Sequence, residues 1–153
     1  MKTSLIVGVI ILLGVFIFFL PKKDTEIANI PPASNIEGCY IAGTVKDVYT
    51  LNIQSKEGEN FSGSLAFKNF EKDSSSGTFV GTYINGILLG EYAFQSEGMD
   101  SVMQVIFKRV GDDFVRGYGD VDSATGSRFT DLNNITYDTS SVLAVFKKGA
   151  CPE

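Results

Sequence analysis

Two acidic segments are the first places to look for chemistry in this 153-residue chain. Asp120-Val-Asp122-Ser-Ala-Thr-Gly126 begins as a calcium loop does, with carboxylates at its first and third positions. Such a loop also needs an oxygen ligand at position 5, a glycine at position 6 and a bidentate Glu at position 12. Here position 5 is Ala124, the glycine falls one place late and no Glu ends the loop, so the segment reads as a solvated turn. Asp112-Asp113 lies between two alternating apolar runs and reads as a hairpin turn rather than a carboxylate pair. Glu91 falls on the polar side of its strand. Arg116 alternates with Val115 and Gly117 and is not forced inward; turned inward beside Phe114 and Tyr118, it would hold an anionic ligand head group.

Histidine is absent from the chain. That removes the commonest general base, the usual zinc ligand and the Ser-His and Cys-His nucleophile pairs. No catalytic set, metal or cofactor is expected, and a hydrolase using carboxylates alone is the remaining enzymatic alternative. From Ile36 onward, 10 Lys/Arg are set against 16 Asp/Glu. The cations stand singly or in isolated pairs, so the basic face that nucleic acid requires is missing.

The elements that would hold these groups begin with a membrane segment. Residues 3–20 (TSLIVGVIILLGVFIFFL) form an uncharged run of 18. As a helix it would be about 27 Å long, against a hydrocarbon thickness of about 30 Å. Lys2 ahead of it would also suit a cleaved signal peptide, but the run is long for one and ends in Phe-Phe-Leu-Pro with no small-x-small site. Residues 1–20 are therefore expected to be a retained single-pass anchor, and residues 21–37, with three of the four prolines, a linker. The flanking charges nearly balance and do not orient the anchor.

Residues 38–153 read as all-β. The clearest signal spans 78–94, where two alternating runs meet at Asn85-Gly86, the favoured pair for a two-residue type I′ hairpin turn. The turn fixes the register: Ile84 faces Ile87, Tyr83 faces Leu88, Gly81 faces Gly90, and Phe79 faces Tyr92. One face then carries Phe79, Gly81, Tyr83, Leu88, Gly90, Tyr92 and Phe94, and points inward. Further strands are expected at 39–44, 47–55 (Tyr49, Leu51 and Ile53 inward), 60–69, 101–109 (Met103, Val105 and Phe107 inward), 113–121 and 141–147. Short polar turns separate them, and 122–139 holds at most two short strands, near Phe129 and at 135–137. A large apolar residue two before an inward glycine recurs at Phe61/Gly63, Phe79/Gly81, Leu88/Gly90 and Val115/Gly117. Inward glycine lets a strand bend sharply while neighbouring rings fill the gap, as barrel closure requires.

Eight antiparallel strands in meander order close into a small up-and-down barrel, with a β-sandwich as the alternative. In a closed meander the first and last strands are neighbours. Cys39 opens the first and Cys151 follows the last, so a Cys39–Cys151 disulfide would fasten that seam. Two such cysteines behind a membrane segment suit an oxidising compartment, placing the domain in the periplasm or at the cell surface.

The Gly-x-aromatic opening Gly38-Cys39-Tyr40, the meander and the inward Gly-aromatic runs resemble the calycin group of lipocalin- and avidin-like barrels, over roughly residues 36–148. The resemblance implies that fold and an internal ligand cavity. It departs where those families usually carry Trp in place of Tyr40, and the chain has no Trp to build an avidin-like biotin site. The residues such a cavity would use are Tyr40, Tyr49, Phe79, Gly81, Tyr83, Gly90, Tyr92 and Arg116. Large rings there favour a filled interior, and the paired glycines favour space for a small apolar ligand. The expected function is a non-enzymatic binding module, for a small ligand or an envelope protein. The alternative is a structural or inhibitory module with a filled core, contacting another envelope protein through loops such as 72–77 or 96–100.

Overall fold

The computed structural model describes residues 35–152. The expected anchor at 3–20 and most of the linker lie outside them, and among the described residues no helix is long and apolar enough to cross a membrane. The strands are β1 (Gly38–Gly43), β2 (Val48–Glu57), β3 (Asn60–Lys68), β4 (Ser75–Ile84), β5 (Ile87–Ser96), β6 (Met99–Val110), β7 (Asp113–Tyr118), β8 (Thr136–Tyr137) and β9 (Val145–Gly149). Each of β1 to β7 pairs antiparallel with the next. β7 then pairs with β9, and β9 with β1, so eight strands close a ring. β8 adds a two-residue ladder to β7. A closed ring of ladders is a barrel, not a sandwich, and it is compatible with a calycin-like small barrel.

The hairpin register is the one the Asn-Gly turn dictates, with Phe79 opposite Tyr92, Gly81 opposite Gly90 and Ile84 opposite Ile87. Asn85 and Gly86 take φ of 51° and 82°, the two positive values a type I′ turn needs. The glycine pair allows close backbone approach: a Cβ on Gly81 would strike the Leu89 carbonyl oxygen, and one on Gly90 would come 2.9 Å from Cε2 of Phe79. The ring of Phe79 thus fills the space beside Gly90.

β7 departs from expectation. Phe114 belongs to the interior cluster, whereas Val115 is buried outside it and Gly117 faces Ile135, Ile106 and Tyr137. The inward residues of β7 are therefore Phe114 and Arg116, and the Val115/Gly117 pair is not an inward one. The cause is the segment 119–144, which runs back over the outside of β6 and β7 and buries their outer face as well. A strand buried on both faces loses the alternation that reveals its orientation.

Strand directions sort the connections. The turns at 58–59, 85–86 and 111–112 lie at one end of the barrel, with both ends of the described chain; the connections at 44–47, 69–74, 97–98 and 119–144 lie at the other. Cys39 and Cys151 form the expected disulfide, with Cα atoms 5.3 Å apart, across the seam where Cys39 pairs with Gly149. Ile36, placed in the linker by sequence, is fully buried in the core at that end.

Candidate functional site

The eight residues expected to line one cavity lie at three levels along the barrel. At the end where the chain enters and leaves, Tyr40 is fully buried, and its hydroxyl donates to the Ile36 carbonyl at 2.8 Å. Its ring meets Phe114 edge-on at 4.9 Å, and Tyr83 packs on the same Phe114 from 6.3 Å. Arg109 covers this end, its guanidinium 3.3 Å from the Asp112 carboxylate and donating to the Gly111 carbonyl at 2.8 Å. The disulfide lies beside them. This end is shut.

The middle level is filled. Phe61, Phe79, Phe107 and Phe146 form a chain of tilted and edge-on rings, with centroids 4.9, 5.8 and 5.1 Å apart. Gly81 and Gly90 sit at this level, where Phe79 takes the room they leave. Tyr40, Phe79 and Phe107 are all fully buried.

The far end is different. Tyr49 and Phe67 meet edge-on at 5.0 Å, Phe67 and Tyr92 at 5.7 Å, and Tyr92 stacks on Phe94 at 4.7 Å. The Tyr92 hydroxyl donates to Ser75 Oγ at 3.1 Å and that of Tyr49 to Asn69 Oδ1 at 2.8 Å, which anchors both rings to the rim. Between them lies Arg116, its guanidinium 4.4 Å from the Phe67 ring centroid and 5.1 Å from that of Tyr118. Ring faces attract the cation. Among the described residues no carboxylate pairs with Arg116; the ion pairs there are Arg109–Asp112 and Arg128–Glu91. Burial pushes the Arg116 guanidinium below its ordinary pKa, against the opposing pull of Tyr118, Tyr49 and Tyr92. Burial likewise raises the Tyr49 and Tyr92 phenols.

The wall beside Arg116 is parted. The β6–β7 ladder runs only from Val110–Asp113 to Phe107–Arg116. Beyond it the strands diverge, and the segment 119–144 covers the gap: Gln104 N–H donates to the Ser127 carbonyl at 2.6 Å, Phe129 N–H to Gln104 Oε1 at 3.1 Å, and Arg128 pairs with Glu91. A cleft of about 120 Å³ remains between the strands, with Met103, Val105, Arg116, Tyr118, Val121 and Phe129 in its wall.

The acidic segments are turns. Asp122 accepts from Ala124 N–H and from the Thr125 hydroxyl, which lowers its pKa and occupies both carboxylate oxygens. Asp112 is in the β6–β7 turn. Among the described residues no group of three or more His, Cys, Asp or Glu is placed to hold a metal. The sequence brought Tyr49, Tyr92 and Arg116 forward but missed Phe67, Val121 and Phe129 as their neighbours. Phe67 carried a signal, since it ends an alternating strand on its inward side; Val121 and Phe129 carried none. No family model, curated protein or solved structure matches the chain.

Proposed function

We propose that this protein is a non-enzymatic binding module of the cell envelope, held at the membrane by residues 3–20, which engages its ligand at the open end of the barrel rather than in an internal cavity. The carrying observation is Arg116: a partly buried cation among three tyrosines and Phe67, without a carboxylate partner among the described residues. Desolvating an arginine costs stability, and that cost is offset when an anion arrives. The Cys39–Cys151 bridge suits the extracytoplasmic side. Residue 35, where the described chain begins, lies at the shut end, opposite the Arg116 end. The loops expected to make contacts, 72–77 and 96–100, include the connections at that same open rim.

The full chain is extracted from membranes in mild detergent and examined by native mass spectrometry. A noncovalent species is expected on the protein that Tyr118→Ala removes and that Lys148→Ala, at the shut end, leaves in place. A protein recovered in the soluble fraction, or one whose bound species is indifferent to Tyr118, overturns the reading.

A further inference from the structure

We propose that the parted wall between β6 and β7 is a lateral binding slot for a carboxylate bearing a short apolar body, with Arg116 as its anion-binding residue. The inference rests on the rim-binding function above and names its ligand class and route. Three features converge on one place. The β6–β7 ladder stops at Phe107–Arg116, so the barrel wall opens at the arginine itself. The cleft there, about 120 Å³, has Arg116, Tyr118 and Gln104 in a wall completed mainly by Met103, Val105, Val121 and Phe129. The guanidinium is backed by the Phe67 ring and has no acidic partner among the described residues.

These features select a ligand. Arginine presents a planar fork of donors that matches a carboxylate in two parallel hydrogen bonds. Phosphate would use the same fork, but its full shell of polar oxygens would be pressed against thioether, valine and phenylalanine surface, where it loses water without replacement. A carboxylate has its polar atoms at one end only. At about 30 Å³ per water, the cleft holds the volume of roughly four waters, a space suited to a short alkyl or aryl acid. The same chemistry is carried by a free small acid and by the C-terminal carboxylate of a peptide ending in an apolar residue. Entry is from the side, through the gap left where the β6–β7 ladder ends, since the barrel interior below Arg116 is filled by Phe79 and Phe107.

The test uses the full chain in detergent and isothermal titration with butyrate, benzoate, benzyl alcohol and inorganic phosphate. Two peptides complete the set, identical and ending in Phe, one with a free C-terminus and one amidated. Butyrate or benzoate is expected to bind saturably, and benzyl alcohol and phosphate about tenfold more weakly or worse, the difference one charge-assisted hydrogen bond makes. Arg116→Met should lose the acids by a similar factor while keeping the wild-type melting temperature, and Val121→Trp should block the slot with Arg116 intact. A small acid outcompeted by the free-C-terminus peptide, but not by the amide, identifies a protein terminus as the source; preference for the small acid identifies a metabolite. Absence of saturable binding by every carboxylate overturns the slot. If a bound species sensitive to Tyr118→Ala is still present on the native protein, the rim function stands with another ligand; if that species is also missing, both fall. Acid binding that survives Arg116→Met also overturns the assignment.

Discussion

The two ends of the barrel each hold an inward arginine, and they treat it in opposite ways. Arg109 at the shut end meets Asp112 and the Gly111 carbonyl, above the buried Ile36 and Tyr40. Arg116 at the open end is set against rings, beside a break in the wall, with no acid opposite it among the described residues. Both sit in the same alternation, one strand apart: Arg109 faces Phe114 across the β6–β7 ladder, and Arg116 faces Phe107. Where the local geometry is so alike, the difference lies in what surrounds the charge. A charge answered within the chain serves the fold, and one left for an outside partner is held at some cost to stability.

That contrast can be broken experimentally, and the largest effect belongs to the shut end. Cys39→Ser opens a loop of 112 residues and should lower unfolding free energy by about 5 kcal/mol on the chain-entropy account. Denaturant titration reads it, and a loss near zero would mean the shut end holds without its staple. Next comes the filled middle: Gly90→Val drives a side chain into Phe79 and the Val80 carbonyl, and should cost about 1–3 kcal/mol. An unchanged melting temperature there would mean that the interior has slack after all. Arg116→Met removes a poorly answered charge and should leave stability within about 1 kcal/mol of wild type, or above it. A clear loss would make Arg116 a structural residue like Arg109 and erase the distinction between the ends.

The smallest effect is electrostatic. Tyr40, Tyr49 and Tyr92 all have phenols raised above the ordinary value of 10.0, chiefly by burial. Their contribution to stability is complete below the unfolded value and is lost as pH climbs past it, because the unfolded chain then releases protons the folded one still holds. Melting temperature should therefore fall above about pH 10. Arg116 lowers Tyr49 and Tyr92, while Arg109 lowers Tyr40. Ultraviolet titration of Arg116→Met should show the first two phenols shifting further upward and Tyr40 staying where it was.

Most of the fold was legible because most strands are covered on one side only. Tyr49, Leu51 and Ile53 alternate with Thr50, Asn52 and Gln54, and Asn85-Gly86 fixes a register that the rest of the meander extends. The seam disulfide followed from topology. The site was harder to see because it lies where that rule lapses. On β7 the covering segment buries Val115 beside Phe114, so hydrophobicity no longer says which way Arg116 points. Glycine in a sequence shows where a side chain is missing, but not that Phe79 from the neighbouring strand lies against Gly90. Val121 and Phe129 come to the cleft through a bridge between two parts of an irregular loop, which no periodicity encodes.

The bond at the seam also has a mechanical meaning. A pull on the chain ahead of β1 meets Ile36 in the core and then Cys39, where it divides between β1 and, through the disulfide, Cys151 and β9. Against a load elsewhere on the barrel, two arms of chain share the tension, and neither β1 nor β9 can be peeled from the sheet alone. Tension entering ahead of β1 is thereby carried by a two-stranded strap at the seam.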